Sequence, residues 1–157
     1  MDNSSNIDNA GVIAKIARYC AFQERCRQEV LQKLKEWKVP PEQTDRITGY
    51  LEGNNFLNEL RFARSFARGK FRSNKWGRIR IQYELKSRQI PGAFIREAMQ
   101  EISEEEYRAT LRQLILKKQL EIKAGKNLNI REKIINFVSG KGFEPDLAAE
   151  VLKELKI

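Results

Sequence analysis

The hydrophobic residues of the chain recur at intervals of three and four positions, which is the spacing of one face of an α-helix. Nine such patterns follow one another with short breaks between them. Residues that favour helix ends mark the breaks, such as Pro41 near the start of the third pattern and Gly53 just past its end. The pattern therefore predicts an all-α protein of nine helices.

Three predicted helix boundaries concern the middle of the chain. Asn58 is the expected N-cap of the fourth helix, with Leu57 and Phe62 forming a hydrophobic staple across it. This helix is expected to fade near Gly69. The fifth helix is expected to run from about residue 75 to residue 88.

The seventh helix has the clearest predicted start. Ser103 and Glu106 have the spacing of a capping box, in a helix that reaches about Lys123. The acids at positions 104–106 lie in its first turn, where the helix dipole favours negative charge. We therefore interpret this acidic cluster as part of the helix start and not as an acidic active site.

The nine patterns also repeat in groups of three. Aligning the chain with itself at offsets of 51 and 53 residues superimposes apolar positions from three segments. The matched sets are Val30, Ile81 and Ile134; Leu34, Leu85 and Val138; Ile47, Ala98 and Val151; Leu51, Ile102 and Leu155; and the basic set Arg27, Arg78 and Arg131. We expect three tandem three-helix repeats in an elongated, curved array, preceded by a disordered polar tail of residues 1–9. The first, second and third modules are residues 10–53, 54–102 and 103–157.

One segment within the second module accounts for the whole net charge. Ten Lys or Arg and one acid, Glu84, lie between Arg61 and Arg88, which gives 10 − 1 = +9, the net charge of the entire chain. Arg80 and Glu84 are spaced to pair at i and i+4, but one acid cannot pair ten cations. A run of charged residues is usually only a helix face exposed to solvent. In this segment, however, the ten cations repel one another and a single acid can offset little of that repulsion. The charge therefore favours a polyanionic partner.

Trp76, Ile79 and Tyr83 are threaded through this basic segment at the i, i+3 and i+7 positions of one predicted helical stripe. The matching positions of the other two modules are polar, whereas Ile81 and Leu85 match apolar residues and are expected in the core. Two interpretations of the stripe remain. It packs against a neighbouring module, or it is an aromatic anchor that meets a partner or stacks on nucleic acid.

Little in the sequence indicates an enzyme. It contains no histidine, the commonest general base and metal ligand, and no phosphate-binding glycine loop or nucleophile elbow. Cys20 and Cys26 are six residues apart, which fits neither a redox pair nor a zinc pair, so both are expected to be packing residues. No apolar run reaches the roughly 20 residues of a membrane span, and the first residues lack signal-peptide character. We expect a soluble, cytoplasmic binding protein without a cofactor or metal.

Two segments of the second module resemble the signature of the RecX regulatory proteins. They are FLNELRFARSFARGKF, residues 56–71, and KWGRIRIQYELKSRQI, residues 75–90. The first element of the signature is fitted by Leu57, Asn58, Phe62 and Ala63. Asn58 replaces the more usual Asp and keeps the capping oxygen. The second element is fitted by Gly77, Arg78, Arg80, Ile81, Glu84 and Leu85.

This resemblance implies a non-enzymatic modulator of the RecA recombinase, composed of three three-helix repeats. Such a protein is expected to bind the RecA filament on DNA as a monomer and to inhibit ATP hydrolysis, strand exchange and filament growth. It would thereby modulate recombinational DNA repair and the SOS response. The residues expected to meet RecA or DNA are Arg61, Arg64, Arg68, Lys70, Arg72, Lys75, Trp76, Arg78, Ile79, Arg80, Tyr83, Lys86 and Arg88. The alternative is a helical DNA-binding protein that acts without RecA. The basic segment does not decide between the two functions, because it favours binding to a RecA filament and binding to free DNA alike.

Overall fold

The structure, a computed structural model, describes residues 3–123 and 129–157. All regular secondary structure in these two ranges is α-helical, which confirms the predicted fold class. The described helices are α1 (Asn3–Phe22), α2 (Arg27–Glu36), α3 (Pro41–Gly53), α4 (Glu59–Asn74), α5 (Arg78–Ser87), α6 (Gly92–Met99), α7 (Glu104–Lys123), α8 (Ile130–Gly140) and α9 (Pro145–Glu154). They form three successive groups of three, in agreement with the predicted repeats. None of these helices is long and apolar enough to cross a membrane.

The repeated apolar positions of the sequence are the buried positions of the modules. Val30, Ile81 and Ile134 are each 0% exposed at matched places on α2, α5 and α8. The same holds, at 1% exposure or less, for the next two sets, Leu34, Leu85 and Val138, and Ile47, Ala98 and Val151. In the last set Leu51 and Ile102 are buried, whereas Leu155 is half-buried just after the end of α9. The repeat read from the sequence is therefore a repeat of core positions.

The first helix begins earlier than predicted. A disordered tail is the expectation for residues 1–9, but α1 already begins at Asn3. Once a helical turn has formed, each further residue adds a hydrogen bond at little additional entropic cost, so a polar segment without proline can continue a helix. Residues 1 and 2 lie outside the described ranges.

The boundary between α4 and α5 also differs from the prediction. Helix α4 does not fade near Gly69 but continues to Asn74, where Lys75 adopts a left-handed conformation with φ of 58° and ends it. One interior glycine costs a helix only about 1 kcal/mol, and Phe71 beyond it is buried. Helix α5 then begins at Arg78 and not near residue 75.

The start of α5 is determined by the third module. The Gly77 amide donates to the Lys141 carbonyl at 2.8 Å, and the Ile79 amide donates to the Gly142 carbonyl at 3.0 Å. A Cβ at Gly77 would overlap the Gly142 backbone, and Gly142 itself has a φ of 99°, which disfavours any side chain. The α8–α9 turn thus binds the unpaired amides at the N-terminal end of α5.

The buried residues form two hydrophobic cores. The larger core runs continuously through the second and third modules, where the Phe71, Tyr107 and Phe143 rings pack in series with centroids 5.9 and 4.9 Å apart. The smaller core belongs to the first module. Leu57 lies in the smaller core and Phe62 in the larger one, so the two residues predicted as a staple face different cores. Asn58 does cap α4, because its side chain accepts from the Arg61 amide at 3.0 Å.

Leu85, which is 0% exposed, is expected to be critical for stability. Leu85→Ala should lower the free energy of unfolding by about 2–5 kcal/mol, because it removes buried methyl groups and leaves a cavity. Leu116→Ala on α7 is the control, since Leu116 is 41% exposed and its truncation should change stability by about 0.5 kcal/mol. Urea titrations measure both values, and equal losses would show that Leu85 does not lie in the core.

Candidate polyanion interface on the second module

Most of the arginines in the basic segment are paired with acids. Arg64 bonds Glu97 at 2.8 Å and Arg68 bonds Glu101 at 3.1 Å, so the exposed side of α4 is joined to α6 and the residues just after it. The remaining pairs are Arg61 with Glu24 at 2.6 Å, Arg72 with Glu106 at 3.9 Å, Arg88 with Glu84 at 2.8 Å, and Arg78 with Glu104 and Glu144. Six of the ten cations are therefore neutralised within the protein. Five of these six draw on acids that lie outside the segment in sequence.

The predicted pair between Arg80 and Glu84 is wrong. Glu84 bonds Arg88 instead, and the Arg80 guanidinium lies over the Trp76 ring, 4.1 Å from its centroid. The ring offers the cation an attractive quadrupole and leaves it close to water. Arg80 thus keeps its charge available on the surface.

Four cations of the segment have no acidic partner in the described part of the chain: Lys70, Lys75, Arg80 and Lys86. Two of them flank the same aromatic ring, because Lys70 lies 5.0 Å from the Trp76 centroid and Arg80 4.1 Å from it. Lys75 and Lys86 are exposed, in the α4–α5 turn and on the last turn of α5. The free positive charge of the protein's basic segment is therefore concentrated around Trp76 and α5.

The three residues of the predicted stripe have different environments: Ile79 and Tyr83 are exposed, whereas Trp76 packs against Phe66. Ile79 is 49% exposed and Tyr83 is 69% exposed, so packing against a neighbouring module is the wrong interpretation for both. Trp76 precedes α5 and is half-buried, with its ring edge against Phe66 at 6.3 Å between centroids. On α5, Ile79, Tyr83 and Lys86 follow one stripe at i, i+4 and i+7.

These observations define one surface, which we name the aromatic–basic face. Its members are Lys70, Lys75, Trp76, Ile79, Arg80, Tyr83 and Lys86. It combines cations without carboxylate partners and apolar groups that remain exposed to water. Phe66 of α4 supports the Trp76 ring and lies outside the residue set expected from the sequence. No group of three Cys, Asp or Glu side chains that could hold a metal ion occurs in the described residues.

Arg78 does not belong to this face. Its guanidinium stacks on the Tyr107 ring at 3.8 Å and bonds Glu144 at 3.2 Å, and its amide donates to the Tyr107 hydroxyl at 3.1 Å. The Tyr107 hydroxyl in turn donates to Glu144 at 2.6 Å. Burial, together with this hydrogen bond to the Glu144 carboxylate, raises the pKa of Tyr107, so the hydroxyl stays protonated and keeps donating. Arg78 thus joins the second module to the third.

The guanidinium groups of the equivalent arginines in the other modules bond residues of their own modules. Arg27 pairs with Glu52 at 3.4 Å and Asp45 at 3.8 Å, both on α3. Arg131 donates to the Ile157 carbonyl at 3.2 Å. The shared position therefore has a structural use in every module, and among the described contacts only the guanidinium of Arg78 reaches a carboxylate of another module.

Comparison with known proteins identifies the second module. Residues 58–99 match the family model described as RecX, second three-helix domain. The predicted resemblance to RecX is confirmed. This RecX match runs from the α4 N-cap to the end of α6 and includes every residue of the aromatic–basic face.

Similarity to RecX proteins extends over most of the chain. A regulatory protein RecX from Prosthecochloris aestuarii is 28% identical over 151 residues, which are 96% of this chain and 97% of that protein. The chain spans only 62% of the RecX of Clostridium acetobutylicum and 51% of that of Lactobacillus gasseri, which are 28% and 30% identical to it. The crystal structure of RecX from Lactobacillus salivarius has the same fold, with a TM-score of 0.85 over 96% of this chain and 98% of that chain, at 20% identity.

Replacing Arg78 is expected to weaken the joint between modules. Arg78→Gln should lower the free energy of unfolding by about 1–3 kcal/mol, because it removes hydrogen bonds to carboxylates and leaves Glu144 half-buried without its cation. Lys86→Gln removes the same charge from an exposed site without a partner and should change stability by about 0.5 kcal/mol. Thermal melts followed by circular dichroism compare the two variants. Equal melting temperatures would show that the Arg78 contacts do not stabilise the protein.

Proposed function

We propose that this protein regulates a RecA recombinase by binding RecA filaments on DNA through the aromatic–basic face. Binding inhibits ATP hydrolysis, strand exchange and filament growth, and it thereby modulates recombinational repair and the SOS response. The observation that carries the proposal is a set of four cations that have no acidic partner among the described residues and lie around exposed Ile79 and Tyr83, inside the module that matches RecX. The RecX relatives are named as regulatory proteins, which supports a regulator rather than an enzyme.

The two kinds of side chain on this face have different tasks. Exposed cations attract a filament that carries DNA phosphates, and they speed the encounter in a salt-dependent way. Ile79 and Tyr83 lose water only when a partner covers them, so they slow release. Trp76, held between Lys70, Arg80 and Phe66, presents a ring whose position is already fixed before binding.

The proposed binding surface is smaller than the residue set expected from the sequence. Lys70, Lys75, Trp76, Ile79, Arg80, Tyr83 and Lys86 remain in it. The other members of that set are the arginines that pair with acids of this protein, namely Arg61, Arg64, Arg68, Arg72, Arg78 and Arg88. We assign these six to stabilising the fold, three of them within the second module and three between modules, because a cation already matched by a carboxylate attracts a polyanion less.

The DNA-dependent ATPase of RecA provides the direct test. Increasing amounts of this protein should inhibit RecA ATP hydrolysis on single-stranded DNA to a plateau. The assay is run at a salt concentration that abolishes binding of this protein to free DNA, since phosphate contacts alone weaken steeply with salt. Inhibition under these conditions requires recognition of the filament. Inhibition that disappears together with free-DNA binding would instead support a DNA-binding protein that acts without RecA.

The exposed apolar pair should control how long the complex lasts. Replacing Ile79 and Tyr83 together by Gln should speed dissociation from immobilised RecA filaments by about tenfold or more, because buried interface anchors each contribute about 1 kcal/mol or more. Both side chains are exposed, so the melting temperature should not fall.

Tyr50→Gln is the matched control for this pair. Tyr50 is 44% exposed on α3 of the first module, outside the aromatic–basic face, and its replacement should leave dissociation unchanged. If the double variant dissociates at the rate of the Tyr50 variant, α5 does not form the anchor and the proposed surface is wrong.

A further inference from the structure

The two joints between modules are built differently. The second and third modules share one hydrophobic core, two backbone hydrogen bonds from Gly77 and Ile79, and the buried contacts of Tyr107. The first module has its own core. Phe56 and Leu57, which precede α4, pack into that smaller core, so the change from one core to the other occurs at Asn58. We call residues 10–57 the lobe, and residues 58–122 and 129–157 the body.

Several polar groups make contacts between the lobe and the body. Arg61 bonds Glu24 at 2.6 Å, with more than 30% of each side chain exposed. The Arg27 amide donates to Glu59 at 3.2 Å, at the N-terminal end of α2. Gln28 donates to the Ser87 carbonyl at 3.4 Å, also at the surface. Solvent-exposed pairs of this kind each stabilise a contact only slightly.

In addition to a smaller cleft of about 300 Å³ beside Leu31 and Gln89, two open clefts lie between the lobe and the body beside these contacts. One, of about 460 Å³, lies between residues 23–29 of the lobe and the α4 side chains Phe66 and Lys70. The other, of about 540 Å³, lies between α2 and the end of α5 near Arg88. Water therefore reaches the joint between lobe and body through these clefts.

One lobe residue enters the larger core. Cys26, the N-cap of α2, is 0% exposed and is the only residue of the lobe among the described members of that core. Its thiol lies 3.2 Å from the Glu29 carboxylate. Burial raises the pKa of the Cys26 thiol to about 12, so the thiol is un-ionised and unreactive while it stays in place.

We propose that the lobe swings as a rigid body on the rest of the molecule about Asn58, and that Cys26 is a latch which leaves the larger core when the lobe opens. An inter-domain joint with few apolar contacts opens at a lower free energy than either core unfolds. The opened state keeps the smaller core and, apart from Cys26, the larger core. Among the described contacts it breaks those of Arg61 with Glu24, of Arg27 with Glu59 and of Gln28 with Ser87. The Asn58 backbone is extended, with φ of −149° and ψ of 106°, a conformation that adjusts without strain.

Thiol labelling of the unmodified protein tests this inference. Cys20 is 6% exposed in the smaller core, whereas Cys26 is 0% exposed. The closed structure alone would therefore let Cys20 react faster than Cys26. Opening of the lobe reverses the order of the two labelling rates, because it exposes Cys26 and leaves Cys20 in the smaller core. In native buffer iodoacetamide should label Cys26 at least about tenfold faster than Cys20, as quantified by peptide mass spectrometry. Low urea should barely change the Cys26 rate, because opening exposes little surface, and should raise the Cys20 rate steeply.

A pair of charge variants links the labelling to the joint. Glu24→Gln removes the partner of Arg61 and should raise the Cys26 rate by about two- to fivefold without changing the Cys20 rate. Glu36→Gln makes the same change in a pair with Lys33 inside the lobe and should change neither rate. Equal labelling of both thiols with equal urea dependence would overturn the inference, since both would then react only through unfolding. An equal effect of the two variants on Cys26 would overturn it as well.

Discussion

The aromatic–basic face depends on the contact between two glycines. Gly77 lies against Gly142 of the third module so closely that neither position accepts a side chain. This contact lets the α8–α9 turn accept the first amides of α5 and so fixes where that helix begins. The rotation of α5 about its axis then follows. It directs Ile81 and Leu85 into the core, leaves Ile79 and Tyr83 in water, and brings Arg80 over Trp76. The third module therefore determines the position of the aromatic–basic face on the second module.

The cations of the basic segment either pair with carboxylates of the protein or remain available to a partner, and the two groups differ in residue type. All six cations paired with acids are arginines, whose planar guanidinium groups bond carboxylates on other helices and turns with defined geometry. Three of the four cations without a carboxylate partner in the described part of the chain are lysines. Lys75 and Lys86 are exposed, and Lys70 is half-buried beside the Trp76 ring. A segment that carries +9 in sequence therefore presents a much smaller free charge, restricted to one side of the second module.

The sequence predicted what is periodic or local. Three copies of a core pattern located buried residues such as Ile81 and Leu85, and a side-chain oxygen at Asn58 located a helix start. Features that depend on distant residues were missed. The start of α5 depends on the α8–α9 turn, where the Lys141 carbonyl that binds the Gly77 amide lies 64 residues downstream. Arg64 and Arg68 of α4 pair with acids that lie 33 residues downstream. Trp76 was assigned to a helical stripe because its spacing alone cannot show that Lys75 ends the helix before it.

The acid partners of three of these arginines lie on other modules. Arg61 depends on Glu24 of the first module, whereas Arg72 depends on Glu106 and Arg78 on Glu104 and Glu144 of the third. An excised second module would lose these carboxylates and expose three additional positive charges. It would then bind heparin, free DNA or any acidic column more tightly than the intact chain does, and with less selectivity. The carboxylates of the flanking modules thus neutralise part of the charge of the second module. Binding experiments on the isolated second module would overestimate the affinity of the intact chain for polyanions.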